Sequence, residues 1–194
     1  AHMASGYARV TKQAGVCTAT SGPGATNLIT GIATAYMDSI PMVALTGQVA
    51  TKLIGKDAFQ EVDITGATLP FTKHSYLIKD GLDIPRVVNE AFHIANTGRP
   101  GPVLIDFPMD LLKKEFDYPE EDEDVNIRGY KLMGKANESQ VKKVAEAIKG
   151  AKKPVILAGG GVVISDATNE FRKFVKETDI PVVSTMMGIG ILPS

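Results

Sequence analysis

Apolar residues along this chain fall into short continuous runs separated by stretches of helical period. Residues 16–18, 42–46, 76–78 and 103–105 read as strands, the second announced by Pro41 and closed by Gly47. Runs that are apolar throughout, rather than at every second position, predict parallel strands buried on both faces. Between them, residues 25–37 read as a helix. Val87, Val88, Ala91, Ile94 and Ala95 follow the 3.6-residue period of another, capped by Asp83 and ended by Gly98. Pro85 falls in its first turn, where the missing amide costs little. Residues 51–59 are polar and read as an exposed loop, and residues 1–9 have helical character without a cap.

From residue 116 the pattern lapses and then restarts. Pro119-Glu120-Glu121-Asp122-Glu123-Asp124 is an acidic run that reads as a solvated linker. Asn137 with Gln140 resembles a capping box, and Val141, Val144, Ala145 and Ile148 form one apolar helix face closed by Gly150. Residues 154–158 read as a strand running into Gly159-Gly160-Gly161. Asp166 is the expected cap of a helix with Phe171, Phe174 and Val175 inward, and residues 181–183 read as the next strand. The predicted architecture is α/β: a parallel sheet with helices on both faces over residues 1–116, a linker over 117–133, and the start of a Rossmann-like unit over 134–194.

Composition narrows the function classes. The chain has 194 residues, 44% hydrophobic and 22% charged, with a net charge of −1. That balance offers no basic field for nucleic acid and no polybasic membrane patch. No apolar run is long enough for a bilayer and no signal peptide is visible, so the expectation is a soluble, cytoplasmic chain. The single cysteine, Cys17, lies in a predicted strand and reads as a small core residue. Both ends read as interior sequence, and the expectation is a part of something longer.

Two glycine loops are the candidate ligand sites. Gly22-Pro23-Gly24 sits between a strand and a helix, where glycines let the backbone approach a ligand and the helix N-terminus favours negative charge. Gly159-Gly160-Gly161 also follows a strand, although it does not spell the dinucleotide fingerprint. Taken alone, the first serves plain turn chemistry more often than binding, and the second serves either as readily. His2, His74 and His93 show no metal-ligand spacing, and no Walker lysine follows the first loop. Phe59-Gln60-Glu61 reads locally as a helix start or as part of a site. The residues alone give two glycine-lined loops and no self-contained catalytic set.

The order of the motifs adds to this. Gly6-Tyr7-Ala8-Arg9, Thr20-Ser21-Gly22-Pro23-Gly24-Ala25-Thr26-Asn27, Asp38-Ser39-Ile40-Pro41, Thr46-Gly47-Gln48-Val49, Ile54-Gly55-Lys56-Asp57-Ala58-Phe59-Gln60-Glu61, Thr72-Lys73-His74 and Thr97-Gly98-Arg99-Pro100-Gly101-Pro102-Val103 occur in succession. That succession resembles the large catalytic subunit of the acetolactate synthase family, across essentially the whole chain. The resemblance implies thiamine diphosphate, Mg2+ and FAD as cofactors of the complete protein. It implies condensation of two 2-oxo acids, pyruvate with pyruvate or 2-oxobutanoate, with loss of CO2, in valine, leucine and isoleucine synthesis. Residues 1–116 then correspond to part of the pyrimidine-binding domain and residues 134–194 to the start of the central, FAD-binding-type domain.

Residue by residue, the resemblance places Gly22, Pro23, Gly24 and Gln60 on the thiamine side, and Phe59, Lys73 and Met109 on the substrate and channel side. Ser39, Arg99, Gly160, Thr185 and Met186 fall on the FAD side. The glutamate that activates the cofactor is expected before residue 1, and no metal ligand is expected within the chain. The resemblance also implies a homodimer or larger assembly with shared active sites, and a possible regulatory small subunit. Two positions depart from the family pattern. Met109 stands where a lysine is usual, and Ala50 stands where a proline is common. Met109 keeps open a sister carboligase or decarboxylase of the same superfamily. A folded, non-catalytic fragment is the third reading.

Overall fold

The computed structural model describes residues 1–118 and 125–193, so the acidic run 119–124 and Ser194 lie outside the described residues. The chain forms two compact units, Ala1–Leu132 and Met133–Ser194.

The first unit is built on four parallel strands: β1 (Gly15–Ala19), β2 (Met42–Gln48), β3 (His74–Leu77) and β4 (Pro102–Pro108), in the order β1-β2-β4-β3. Alternate residues of β2 and β4 feed two separate cores. Met42, Ala44 and Leu104 face α1 (His2–Thr11), α2 (Pro23–Thr26), α3 (Ile29–Met37) and α4 (Ile64–Thr68), with Ala4, Ala8, Ala25, Ile32 and Ile64 buried against them. Val43, Val103, Ile105 and Phe107 face α5 (Ile84–Asn96), which contributes Val87, Ala91, Ile94 and Ala95. α6 (Met109–Leu112) follows β4 directly and adds Leu111. Part of the stretch expected to link the units lies on this second core through Ile127 and Tyr130. This is the two-faced parallel sheet that the apolar runs predicted.

Several local expectations change. β1 is an edge strand with only one face covered. Val16 is half exposed and Cys17 half buried, where the apolar run had suggested full burial. The helix expected over 25–37 is broken at Asn27 and Leu28, where the Leu28 amide donates to Ala25 rather than four residues back. β3 begins at His74, two residues early, because its register is set by β4 (His74 opposite Val103) rather than by its own apolar content. Asp83 holds the N-cap position of α5 without capping it. Its Oδ1 instead accepts from Arg86 (2.8 Å), while Asp80 caps the preceding turn by accepting from the Leu82 amide (3.1 Å).

The second unit has two parallel strands, β5 (Ile156–Ala158) and β6 (Val182–Ser184), with α7 (Glu138–Gly150), α8 (Gly161–Ile164) and α9 (Thr168–Thr178). Asn137 caps α7, accepting from the Ser139 and Gln140 amides. Asp166 is not the cap of α9. That position falls on Ala167, and Asp166 lies before it at φ 61°. Phe174, expected inward, is exposed, as are Val141 and Val144 of α7; Phe171 and Val175 are half buried. A two-stranded sheet offers too little surface to bury the apolar faces of two long helices.

Candidate functional site

The carboxyl ends of β1, β2 and β4 open into a cleft of about 670 Å³. Ligands of parallel sheets bind at this end of the strands, because loops there are free to diverge while the sheet fixes their roots. Thr20 and Ser21 after β1, Val49, Ala50 and Leu53 after β2, and Met109 and Leu112 after β4 line it, with Phe59 and Gln60 closing one side. Its size is that of a cofactor or small-ligand pocket.

The wall carrying Phe59 and Gln60 is not a helix start. It is a tight loop held by a carboxylate: Glu61 accepts from the Gly55 amide and, at 2.8 Å, from the Ala58 amide. These bonds hold the Glu61 carboxyl below the usual range. Asp63 then caps α4, accepting from the Gly66 amide at 2.8 Å. Asp110, in the first turn of α6, accepts from both the amide (2.9 Å) and the hydroxyl (2.6 Å) of Thr51, tying the loop after β2 to the loop after β4. The Phe59 ring is 90% exposed, so it is presented to a ligand or another surface rather than packed.

Gly22 meets this wall. Its φ is 63°, and a Cβ there would come within 2.8 Å of Gln60 Cβ and of the Gln60 carbonyl oxygen. Gln60 itself has φ 60°, a strained conformation for a residue with a side chain. The Gly22-Pro23-Gly24 loop therefore supports Gln60 from behind, while Ser21 supplies the loop's surface in the cleft.

Beneath the cleft lies a buried polar cluster that the motif reading missed. Asp106, 1% exposed near the end of β4, accepts from Thr46 Oγ1 (2.6 Å) and Gln48 Nε2 (2.8 Å). Burial pushes its carboxyl up to about 6, against these two hydrogen bonds, and Asp63 adds like-charge repulsion. The sequence signal is an acid inside an apolar strand; register adds the hydroxyl, since Asp106 stands opposite Thr46.

The other predicted residues separate into groups. Phe59, Gln60 and Met109 come together in the cleft. Lys73 does not join them: its ammonium donates to the carbonyls of Ile94 and Thr97 (2.6 Å for Thr97) at the C-terminal end of α5, and to Tyr130 Oη at 3.2 Å. Ser39 and Arg99 do meet, Arg99 Nε donating to Ser39 Oγ at 2.7 Å. They lie before β2 and β4, at the end of the sheet opposite the cleft. In the second unit the loops after β5 and β6 run side by side. A Cβ on Gly160 would meet Met187 Cβ at 3.0 Å, and the Thr185 amide donates to the Ala158 carbonyl at 2.9 Å. Gly160, Thr185 and the exposed Met186 thus share one strand end.

The cleft, with apolar walls and few polar groups, suits the organic part of a cofactor, and Gly22, Pro23 and Gly24 lie behind its wall rather than on it. Among the described residues no cluster of three or more acidic, histidine or cysteine side chains could hold a metal ion. No helix among them is long and apolar enough to cross a membrane.

Comparison with known proteins adds the following. Residues 1–67 match the family model "Thiamine pyrophosphate enzyme, N-terminal TPP binding domain", and residues 141–194 match "Thiamine pyrophosphate enzyme, central domain". The chain is 53% identical to an acetolactate synthase of Mycobacterium leprae, over 99% of this chain and 31% of that protein. It is 52% identical to an acetolactate synthase large subunit of Buchnera aphidicola subsp. Schizaphis graminum, over 99% of this chain and 34% of that one. A probable acetolactate synthase large subunit of Methanocaldococcus jannaschii is 53% identical over 100% of this chain and 33% of its own length. The chain therefore spans about a third of the length of the curated relatives it matches. The chain thus matches models of two domains of thiamine pyrophosphate enzymes, and the proteins that it resembles along nearly its whole length are acetolactate synthases and their large subunits.

Proposed function

We propose that this chain is part of an acetolactate synthase large subunit, an enzyme that joins two 2-oxo acids with loss of CO2 in branched-chain amino-acid synthesis in the cytoplasm. The observation that carries the reading is identity above half with acetolactate synthases of bacteria and an archaeon along nearly the whole chain. The cleft supports it: residues 1–116 supply the wall for the pyrimidine end of thiamine diphosphate, with Gln60 and the Gly22-Pro23-Gly24 loop beside it, and Phe59 and Met109 toward the substrate. When bound, that cofactor supplies the carbanion and electron sink of the reaction. This chain's residues orient the reactants and exclude water from an apolar pocket. Each unit taken by itself offers residues proposed for contact with FAD: Ser39 and Arg99 in the first, and Gly160, Thr185 and Met186 in the second. A guanidinium already steered by a serine hydroxyl is suited to a diphosphate. Mg2+ and the cofactor's own diphosphate fall to residues other than these, as does the activating glutamate. A homodimer with shared sites and a regulatory small subunit belong to the same proposal.

The test is acetolactate formation from pyruvate, with thiamine diphosphate, Mg2+ and FAD, by the full-length protein carrying this sequence. The 194-residue chain alone should show no turnover. Met109 favours a second reading, a sister carboligase or decarboxylase. In that case pyruvate yields no acetolactate and another 2-oxo acid is consumed.

A further inference from the structure

The loop that carries Phe59 and Gln60 leaves β2 at Val49 and rejoins the fold at Val62, and one side chain holds both ends. Gln48 Oε1 accepts from the Val49 amide at 2.8 Å, and Gln48 Nε2 donates to the Val62 carbonyl at 2.8 Å. The same Nε2 donates its second hydrogen to Asp106 Oδ2, also at 2.8 Å. Gln48 is 6% exposed, so water is a poor substitute for these partners. A side-chain amide can sit either way round, and the choice is made by what surrounds it. If the amide turned over, its oxygen would face the Asp106 carboxylate and the Val62 carbonyl, and its NH2 would face the Val49 N–H. All three partners therefore favour the one orientation that closes the loop, and Asp106 is the one that lies outside the loop, on β4. Asp106 is itself held by Thr46, whose hydroxyl donates to Oδ1 at 2.6 Å.

We propose that Gln48 and Asp106 are positioning residues of the cleft: Asp106 orients the Gln48 amide, and Gln48 pins the base of the loop over residues 49–62. This sets Gln60 against Gly22 and Phe59 over the cleft. The proposal rests on the preceding reading only in taking Phe59 and Gln60 as the ligand-facing wall. Glu61 closes the tip of the loop and Asp110 ties its side at Thr51, while this pair carries the base on which the whole loop is anchored.

Hydrogen exchange of the full chain tests it without any cofactor. In Asp106→Leu, amides of residues 50–60 should exchange about tenfold faster or more, the scale of losing hydrogen bonds to a charged acceptor. Amides of β2 and β4 should stay near the wild-type rate. Gln48→Met, which keeps Asp106, should give the same pattern. Asp106→Asn should restore wild-type rates, because its carbonyl can accept from Gln48 while its NH2 donates to the Thr46 hydroxyl. Equal acceleration in strands and loop would reduce the pair to general core residues and overturn the proposal. So would an unchanged loop in both disruptive variants, or Asp106→Asn behaving like Asp106→Leu. If Asp106→Leu does not fold, Gln48→Met and Asp106→Asn decide the question. Because no turnover is measured, a failed enzymatic reading would leave this result standing.

Discussion

Gly22 and Gln60 meet backbone to backbone, both at positive φ (63° and 60°), with no room between them for a methyl group. Two unusual conformations are thus fitted to each other at the mouth of the cleft. Gly22→Ala adds a Cβ within 2.8 Å of Gln60 and places an L-residue at φ 63°, ψ −123°. The expected loss is about 2–4 kcal/mol of unfolding free energy in urea titrations, combining backbone strain with displacement of a packed neighbour. Unchanged stability would mean that Gln60 moves freely and is not held by the glycine loop.

Asp106 gives a pH dependence of definite sign. Its folded-state value, about 6, lies above the ordinary aspartate value of 3.8. Between those values the folded chain keeps a proton that the unfolded chain releases, so this group's contribution to stability declines as pH rises. Asp106→Asn does not titrate. The stability of Asp106→Asn relative to wild type should therefore improve on going from pH 4 to pH 7, by on the order of 2 kcal/mol. Urea midpoints at the two pH values check this, and a difference independent of pH would contradict it.

Glu61, Asp63 and Asp110 behave in the opposite sense. Backbone amides hold Glu61 and Asp63 below the usual range, and Thr51 does the same for Asp110, chiefly through its hydroxyl. Their contribution is present above the unfolded values and is lost as acid protonates the folded forms, below about pH 4. Amide NMR signals of Thr51, Gly55, Ala58 and Gly66 should shift or broaden in that range before far-ultraviolet circular dichroism changes. The loop would then open while the sheet persists.

The sheet was legible in the sequence because burial on both faces makes strands continuously apolar. β2 and β4, buried almost throughout, were placed well, whereas β1, open on one face, was read as more buried than it is. Helix starts were harder. Asp83 and Asp166 are good capping residues by type, but Asp83 is drawn to Arg86 and Asp166 stands one residue too early. The cleft was half legible. Phe59, Gln60 and Met109 converge, yet they were singled out by motif resemblance, which says nothing of Gln48 and Asp106 beneath them. Those two needed strand register, since only pairing of β2 with β4 brings a hydroxyl, an amide and an acid together.

Lys73 has partners within its own unit that the motif resemblance does not mention. It was expected beside a channel, and its ammonium binds carbonyls at the C-terminal end of α5, where a cation is favoured by the helix dipole. Lys73→Met should cost about 1–3 kcal/mol in urea unfolding, since it leaves carbonyls and Tyr130 Oη short of a charged donor. Exchange should accelerate around residues 127–132, whose Tyr130 shares this contact. If stability is unchanged but ligand affinity falls, Lys73 faces a ligand instead.

Met109 opens α6 and lines the cleft, 47% exposed, at the position where the motif resemblance sets an expected lysine. Under the proposed function, a thioether there supplies no positive charge to attract a 2-oxo acid carboxylate. Met109→Lys replaces one long unbranched side chain by another, so the backbone has no reason to move. The added ammonium acts mainly on binding, and an ion pair in a half-exposed cleft is worth about 0.5–1 kcal/mol. In the full-length enzyme the KM for pyruvate should therefore fall about two- to fivefold, with kcat changed less. Screening makes the gain salt-dependent, shrinking as ionic strength rises above about 0.15 M. A KM that does not move at low salt would mean that the side chain at 109 points away from the carboxylate, and the substrate-side assignment of this residue would fall.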